Sequence, residues 1–128
     1  MTELEAFLKK QIDAMIPRSK WFNVGPLKVY MRAGEMGNPF AFSRQLVKTT
    51  CVANILELPP EYLGQGVFRM FMLNLEMCAR AFGYDQVSVE NVMPELLQQQ
   101  LVKNGYTPHI LADEVPGDPH TFYKSLCL

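Results

Sequence analysis

Apolar residues Leu4, Leu8, Ile12, Met15 and Ile16 recur at helical spacing and stop at Pro17, which predicts an amphipathic helix over 3–16. Thr2-x-x-Glu5 opens it as a capping box: the Thr oxygen accepts from an early helix N–H and Glu5 reaches back. Residues 18–50 carry a weaker pattern. Leu27-Lys-Val-Tyr-Met-Arg32 alternates as a strand, Gly34–Pro39 reads as a turn, and Phe40-Ala-Phe-Ser43 is a short strand or a substrate-facing loop. Cys51–Leu58 is a further strand, closed by Pro59-Pro60, which cannot donate to a sheet ladder.

From Gly66 to Phe82 the period is helical again. Arg69, Glu76 and Arg80 nearly eclipse at 100° per residue, so the pattern predicts a narrow polar stripe, a Glu76–Arg80 pair and burial elsewhere. Gly83 caps this helix, and Gln86–Glu90 alternates as a strand. Pro94 and Glu95 suit the first turn of another helix, with Leu97 and Leu101 facing inward and Asn104-Gly105 as its stop. Two last strands are expected at His109–Ala112 and Thr121–Leu126, around the turn Pro116–Pro119. From residue 51 the order is strand, helix, strand, helix, strand, strand, which means an α/β fold.

The chain has 128 residues, enough for one domain with one core spanning 1–128. Its net charge of −1 supplies no global field for nucleic acid or anionic membrane, so neither is expected as a partner. Cys51, Cys78 and Cys127 are odd in number and far apart, which disfavours a disulfide framework or zinc site and favours a reducing compartment. The N-terminus lacks a signal-peptide core, and the apolar run around 70–82 is interrupted and short for a bilayer. These features predict a cytoplasmic protein.

The stretch Leu58-Pro-Pro-Glu-Tyr-Leu-Gly-Gln-Gly-Val-Phe68 carries the chemistry. Gly64 and Gly66 remove side chains where backbone approaches something closely, and the helix that follows begins with unpartnered N–H groups at the positive end of its dipole. That is an anion site suited to a diphosphate. An ordinary glycine turn into a helix explains the same residues, and two glycines alone do not decide the matter. A P-loop is a minor reading, because it needs a Lys after the glycines and none follows. A dinucleotide fingerprint would need a third glycine where Arg69 stands, although Glu90 is suggestively placed for it.

Leu58–Phe68 resembles the V-x-P-E-Y-R-G-x-G-[IV]-G pattern of the GNAT N-acetyltransferases, in the same strand–loop–helix setting. The likeness continues through the strand Val87–Glu90, Asn91 at its end, Lys103-Asn104-Gly105-Tyr106 (like the family's E-K-x-G-F) and Phe122-Tyr123-Lys124, covering about 45–126. It implies a mixed sheet splayed beside its central strand, with the pantetheine arm of acetyl-CoA entering the gap. Backbone of Leu56 and Leu58 would pair with the pantetheine amides, and Leu63, Gly64, Gln65, Gly66, Val67 and Phe68 would face the diphosphate. Asn91 corresponds to the Asn that often follows the next strand; a turn or cap residue is the plainer reading. The family's Arg or Gln at the loop start is Leu63 here, and its last glycine is Phe68, a side chain able to crowd the diphosphate. Its acidic Tyr falls on Leu101, which has no proton to give.

Acetyl transfer to an amine needs a base, and Glu57, just before the loop, is the first candidate, with a solvated strand residue as its equal alternative. Tyr106 is the substitute acid, or a core tyrosine. His109 and His120 lack partners for a metal site, Cys78 suits the core, and no serine has a triad setting. The resemblance implies acetyl-CoA as cosubstrate, an amine acceptor, no metal and commonly a homodimer. Leu63, Phe68 and Leu101 favour a competing reading, a GNAT-derived protein without catalysis that binds and modulates a partner protein. Trp21-Phe22 and Phe40–Phe42, if exposed, would serve such a contact.

Overall fold

A computed structural model describes residues 2–14, 16–24, 27–37, 46–56, 66–92, 95–109 and 120–126. Its elements run α1 (Glu3–Gln11), β1 (Arg18–Val24), β2 (Leu27–Gly37), β3 (Leu46–Leu56), α2 (Val67–Phe82), β4 (Gln86–Val92), α3 (Glu95–Lys103), β5 (Thr107–His109) and β6 (His120–Ser125). The strands form one mixed sheet in the order β1-β2-β3-β4-β6-β5. Only β3 and β4 run parallel, because α2 carries the chain back between them; their neighbours pair antiparallel. The fold is α/β, as the order of elements predicted.

Thr2 caps α1 as expected, its Oγ1 accepting from the Glu5 N–H at 3.1 Å. The helix stops at Gln11 and not at 16, and Ile16 is exposed. The cause lies in the turn that follows: Pro17 sits against Gly34, where a Cβ would stand 2.8 Å from the Pro17 Cα. The chain must unwind early to run beside β2. Gly34 therefore serves a close backbone approach, and the expected turn at 34–39 is corrected in its described part, since β2 continues to Gly37. The strand β1 was not foreseen; only Phe22 within Arg18–Phe22 is buried.

Alternation along the paired strands sends Val29, Met31, Ala33, Val52, Val87, Val89 and Phe122 to one face, all within the core. All three helices pack on that face. Phe7 of α1 meets Phe22 with ring centroids 5.3 Å apart, Leu75 and Ala79 of α2 are fully buried, and α3 contributes Leu97 and Leu101. The polar stripe predicted for α2 holds at Arg69 and Arg80, which are exposed, and is corrected at Glu76. Glu76 is 2% exposed and paired with Lys124 of β6, whereas Met70, Leu73 and Met77 point to solvent. Of the aromatic pairs, Phe22 is buried and Trp21 is exposed; Phe40–Phe42 lie outside the described residues. No described helix is long and apolar enough to cross a membrane.

Candidate active site

The parallel strands part where the chemistry was expected. β3 and β4 pair from Thr49↔Gln86 to Val52↔Val89, then β3 runs on to Leu56 and β4 to Val92 outside that ladder. A bulge lies beside the fork on each side. The β2–β3 register shifts between Tyr30 and Met31, with Ala53 the extra residue, and the β4–β6 register shifts between Val89 and Val92. Bulges bend their strands and sharpen the local twist, so two of them at one level open the sheet. Asn91 lies in the second bulge with φ 58°, a left-handed conformation that Asn tolerates better than most residues. The gap lies at the carboxyl ends of two parallel strands, where α/β sheets bind ligands.

Gly66 opens α2 from the left-handed region, φ 74° and ψ 6°, with no side chain capping the helix. The first N–H groups of α2 lack intrahelical acceptors and stand at the positive end of its dipole. A Cβ at Gly66 would meet nothing within 4 Å, so glycine is required by conformation and not by crowding. Val67 is partly buried beside the core, and the Phe68 ring lies within it at 1% exposure. Phe68 therefore packs inward, which removes the expected crowding of the diphosphate. Leu56 ends β3 beside the gap; Glu57, Leu58, Leu63, Gly64 and Gln65 lie outside the described residues.

The remaining sequence candidates separate. Asn91 is exposed at the fork. Leu101 and Tyr106 are buried in the core. Burial and the neighbouring Glu76 carboxylate push the Tyr106 phenol far above its ordinary range, and the Lys124 ammonium stands 5.4 Å from its ring centroid. Cys78 borders the core with its thiol also raised by burial. No group of three metal-ligating side chains occurs among the described residues.

A cluster that the sequence did not single out lies on the opposite, helix-free face. Arg32 on β2 pairs in register with Cys51 on β3, Cys51 with Ser88 on β4, and Ser88 with Tyr123 on β6. Just past Ser88, in the bulge, Glu90 takes the Arg32 guanidinium on its Oε1 at 2.5 Å. Cys51 Sγ lies 3.9 Å from Arg32 Nη2, but burial, with Glu90 second, pushes its thiol up to about 12, so it stays protonated and inert. The signal available beforehand was a charged residue in each of two apolar strands, Arg32 and Glu90, at positions that alternation places on one face.

No family model and no curated protein matches the chain. Solved structures do. A protein assigned as an acetyltransferase from Agrobacterium tumefaciens superposes with a TM-score of 0.60 at 14% identity, over 95% of this chain and 85% of that one. A GNAT-family acetyltransferase from Staphylococcus aureus Mu50 gives 0.52 at 9% identity, over 79% and 67%. The chain has the GNAT fold. Ard1 from Thermoplasma volcanium shares it, with a TM-score of 0.50 at 13% identity over 80% and 72%. At these identities the likeness is one of architecture, a mixed sheet flanked by helices.

Proposed function

We propose that the protein is an acetyl-CoA-dependent N-acetyltransferase that moves the acetyl group directly to an amine. The observation that carries this reading is the fork between β3 and β4, with Gly66 opening α2 beyond β3. An extended pantetheine arm suits such a gap, because β3 backbone beyond Val52 lies outside the β3–β4 ladder and can pair with its amides. The diphosphate then falls to the start of α2 and to the glycine loop before it. α2 packs on the helix-covered face, so acetyl-CoA enters from there, and the acceptor comes from the face that carries Glu90.

In the transfer, a carboxylate takes one proton from the acceptor ammonium and the free amine attacks the thioester carbonyl carbon. A C–N bond forms and the C–S bond breaks. The CoA thiolate leaves with a second proton from nitrogen, and the third stays on the amide. Glu57, next after β3, and Glu90, at the fork, are the candidate bases; Asn91 beside Glu90 is a candidate acceptor contact. Tyr106 as acid would need its buried phenol brought to the thiolate.

A second reading, a GNAT-derived binding protein without catalysis, is favoured by Leu101, which fills a core position where the family's acidic Tyr falls. Met70, Leu73 and Met77, exposed along one side of α2, would serve its partner. Calorimetric titration with acetyl-CoA separates the two. Saturable binding by the native protein, weakened at least tenfold in Gly66→Trp, supports the enzyme. A folded sample that ignores millimolar acetyl-CoA leaves the binding protein.

A further inference from the structure

We propose that Arg32 and Glu90 together bind the acceptor, and that the acceptor is of α-amino-acid type, carrying an ammonium and a carboxylate on the same carbon. The inference rests on the acetyltransferase reading for its role in transfer, but the binding site is argued from the pair itself.

Arg32 on β2 and Glu90 on β4 meet over β3 at the closed end of the fork, on the face free of helices among the described residues. Their side chains keep 35% and 26% exposure, so the pair borders solvent, while Cys51 and Ser88 beneath them are buried and form a neutral floor. Both side chains reach solvent, so a charged ligand can approach and open the pair without first uncovering it. What replaces it decides the ligand class. A simple amine would pair with Glu90 and leave the guanidinium only water; a simple carboxylate would do the reverse. A molecule with both charges gives each residue a new charge-assisted partner, and the Arg32 fork can hold a carboxylate through two bonds.

The surroundings fit the same class. Tyr30, two residues before Arg32 on the same side of β2, stacks against Trp21 with centroids 4.8 Å apart. This partly exposed aromatic step offers a resting place for an apolar side chain beside the charge pair. Glu90 sits in the bulge at the mouth of the gap where an acetyl thioester would emerge.

The test is amide-resolved NMR titration of the labelled native protein, with and without saturating CoA, using each of the twenty L-α-amino acids. Expected is that at least one shifts the amides of Arg32, Ser88, Glu90 and Tyr123, and that its decarboxylated amine and its deaminated acid bind at least tenfold more weakly. Arg32→Met and Glu90→Gln should each cost at least tenfold, with Arg32→Lys and Glu90→Asp as milder variants that keep a charge. The analogue comparison needs no variant and stands even if these fail to fold. Equal binding of the amine alone, or no shift from any of the twenty, overturns the proposal. Acetyl-CoA titrated into the same sample separates the two ideas. If acetyl-CoA binds and every amino acid is ignored, the acceptor assignment fails alone. If an amino acid binds and acetyl-CoA does not, acetyl transfer fails and the amino-acid site stands.

Discussion

The Lys124 ammonium of β6 meets the Glu76 carboxylate of α2 at 2.5 Å within the packed face, and also donates to the Asn104 carbonyl at 2.9 Å. One side chain thus ties the central helix, the last strand and the end of α3 together. Glu76 is nearly inaccessible, and Lys124 is the cation that offsets its burial. Lys124→Met should destabilise the protein by about 3 kcal/mol, the low end for breaking a buried pair because Lys124 itself is partly exposed. The double variant Glu76→Leu/Lys124→Met should recover most of that loss. Urea unfolding of the single and double variants checks it; equal instability in both would mean that the pair's charges are not what matters.

Glu76 also shows what the sequence could and could not convey. Helical spacing located α2 within one residue, but its polar positions were assigned to solvent because a lone Glu is usually exposed. Lys124, the partner that makes burial tolerable, is 48 residues away, and no local pattern links them. The same limit hid β1: an edge strand exposed from Arg18 to Trp21 has little periodicity, and it is held by β2, not by its own sequence. The fork was legible only through the glycine loop. The bulges that open it depend on registers among four strands, and the Arg32–Glu90 pair exists only once those registers are set.

Alkaline pH should unfold the protein through groups that folding keeps neutral. Burial raises Cys51 from 9.0 to about 12, and burial followed by Asp13 raises Tyr84 beyond its ordinary range while its hydroxyl donates to the Leu8 carbonyl at 2.6 Å. In each case the folded pKa exceeds the unfolded one. The unfolded chain therefore sheds protons first, and the stabilisation present below the unfolded pKa is lost as pH rises toward the folded value. For Cys51 that window runs from about 9 to about 12. Urea unfolding measured from pH 8 to 11 should show falling stability, with a shallower slope in Cys51→Ala. An unchanged slope would place the titration elsewhere.

Gly34→Ala should cost about 1–3 kcal/mol, because its Cβ would press on Pro17 backbone atoms that cannot move without displacing the entry to β1. Thermal unfolding reads this directly. A neutral result would mean that the β1 edge shifts freely.

Gly66 and Gly83 bracket α2, and comparing them isolates the ligand role from backbone strain. Both hold left-handed conformations, φ 74° and 91°, and at both an added Cβ would meet nothing within 4 Å. Alanine at either position should therefore carry a similar strain, about 1 kcal/mol in unfolding free energy. Their surroundings differ in polarity. Gly66 precedes the donor end of the helix, whereas Gly83 closes the acceptor end with its own N–H bonded back to Ala79 and Arg80. Calorimetry should then show acetyl-CoA affinity falling in Gly66→Ala by tenfold or more and holding in Gly83→Ala, with the two variants equally destabilised. Equal affinities would detach the start of α2 from the cofactor, and equal losses would trace the effect to strain along the whole helix.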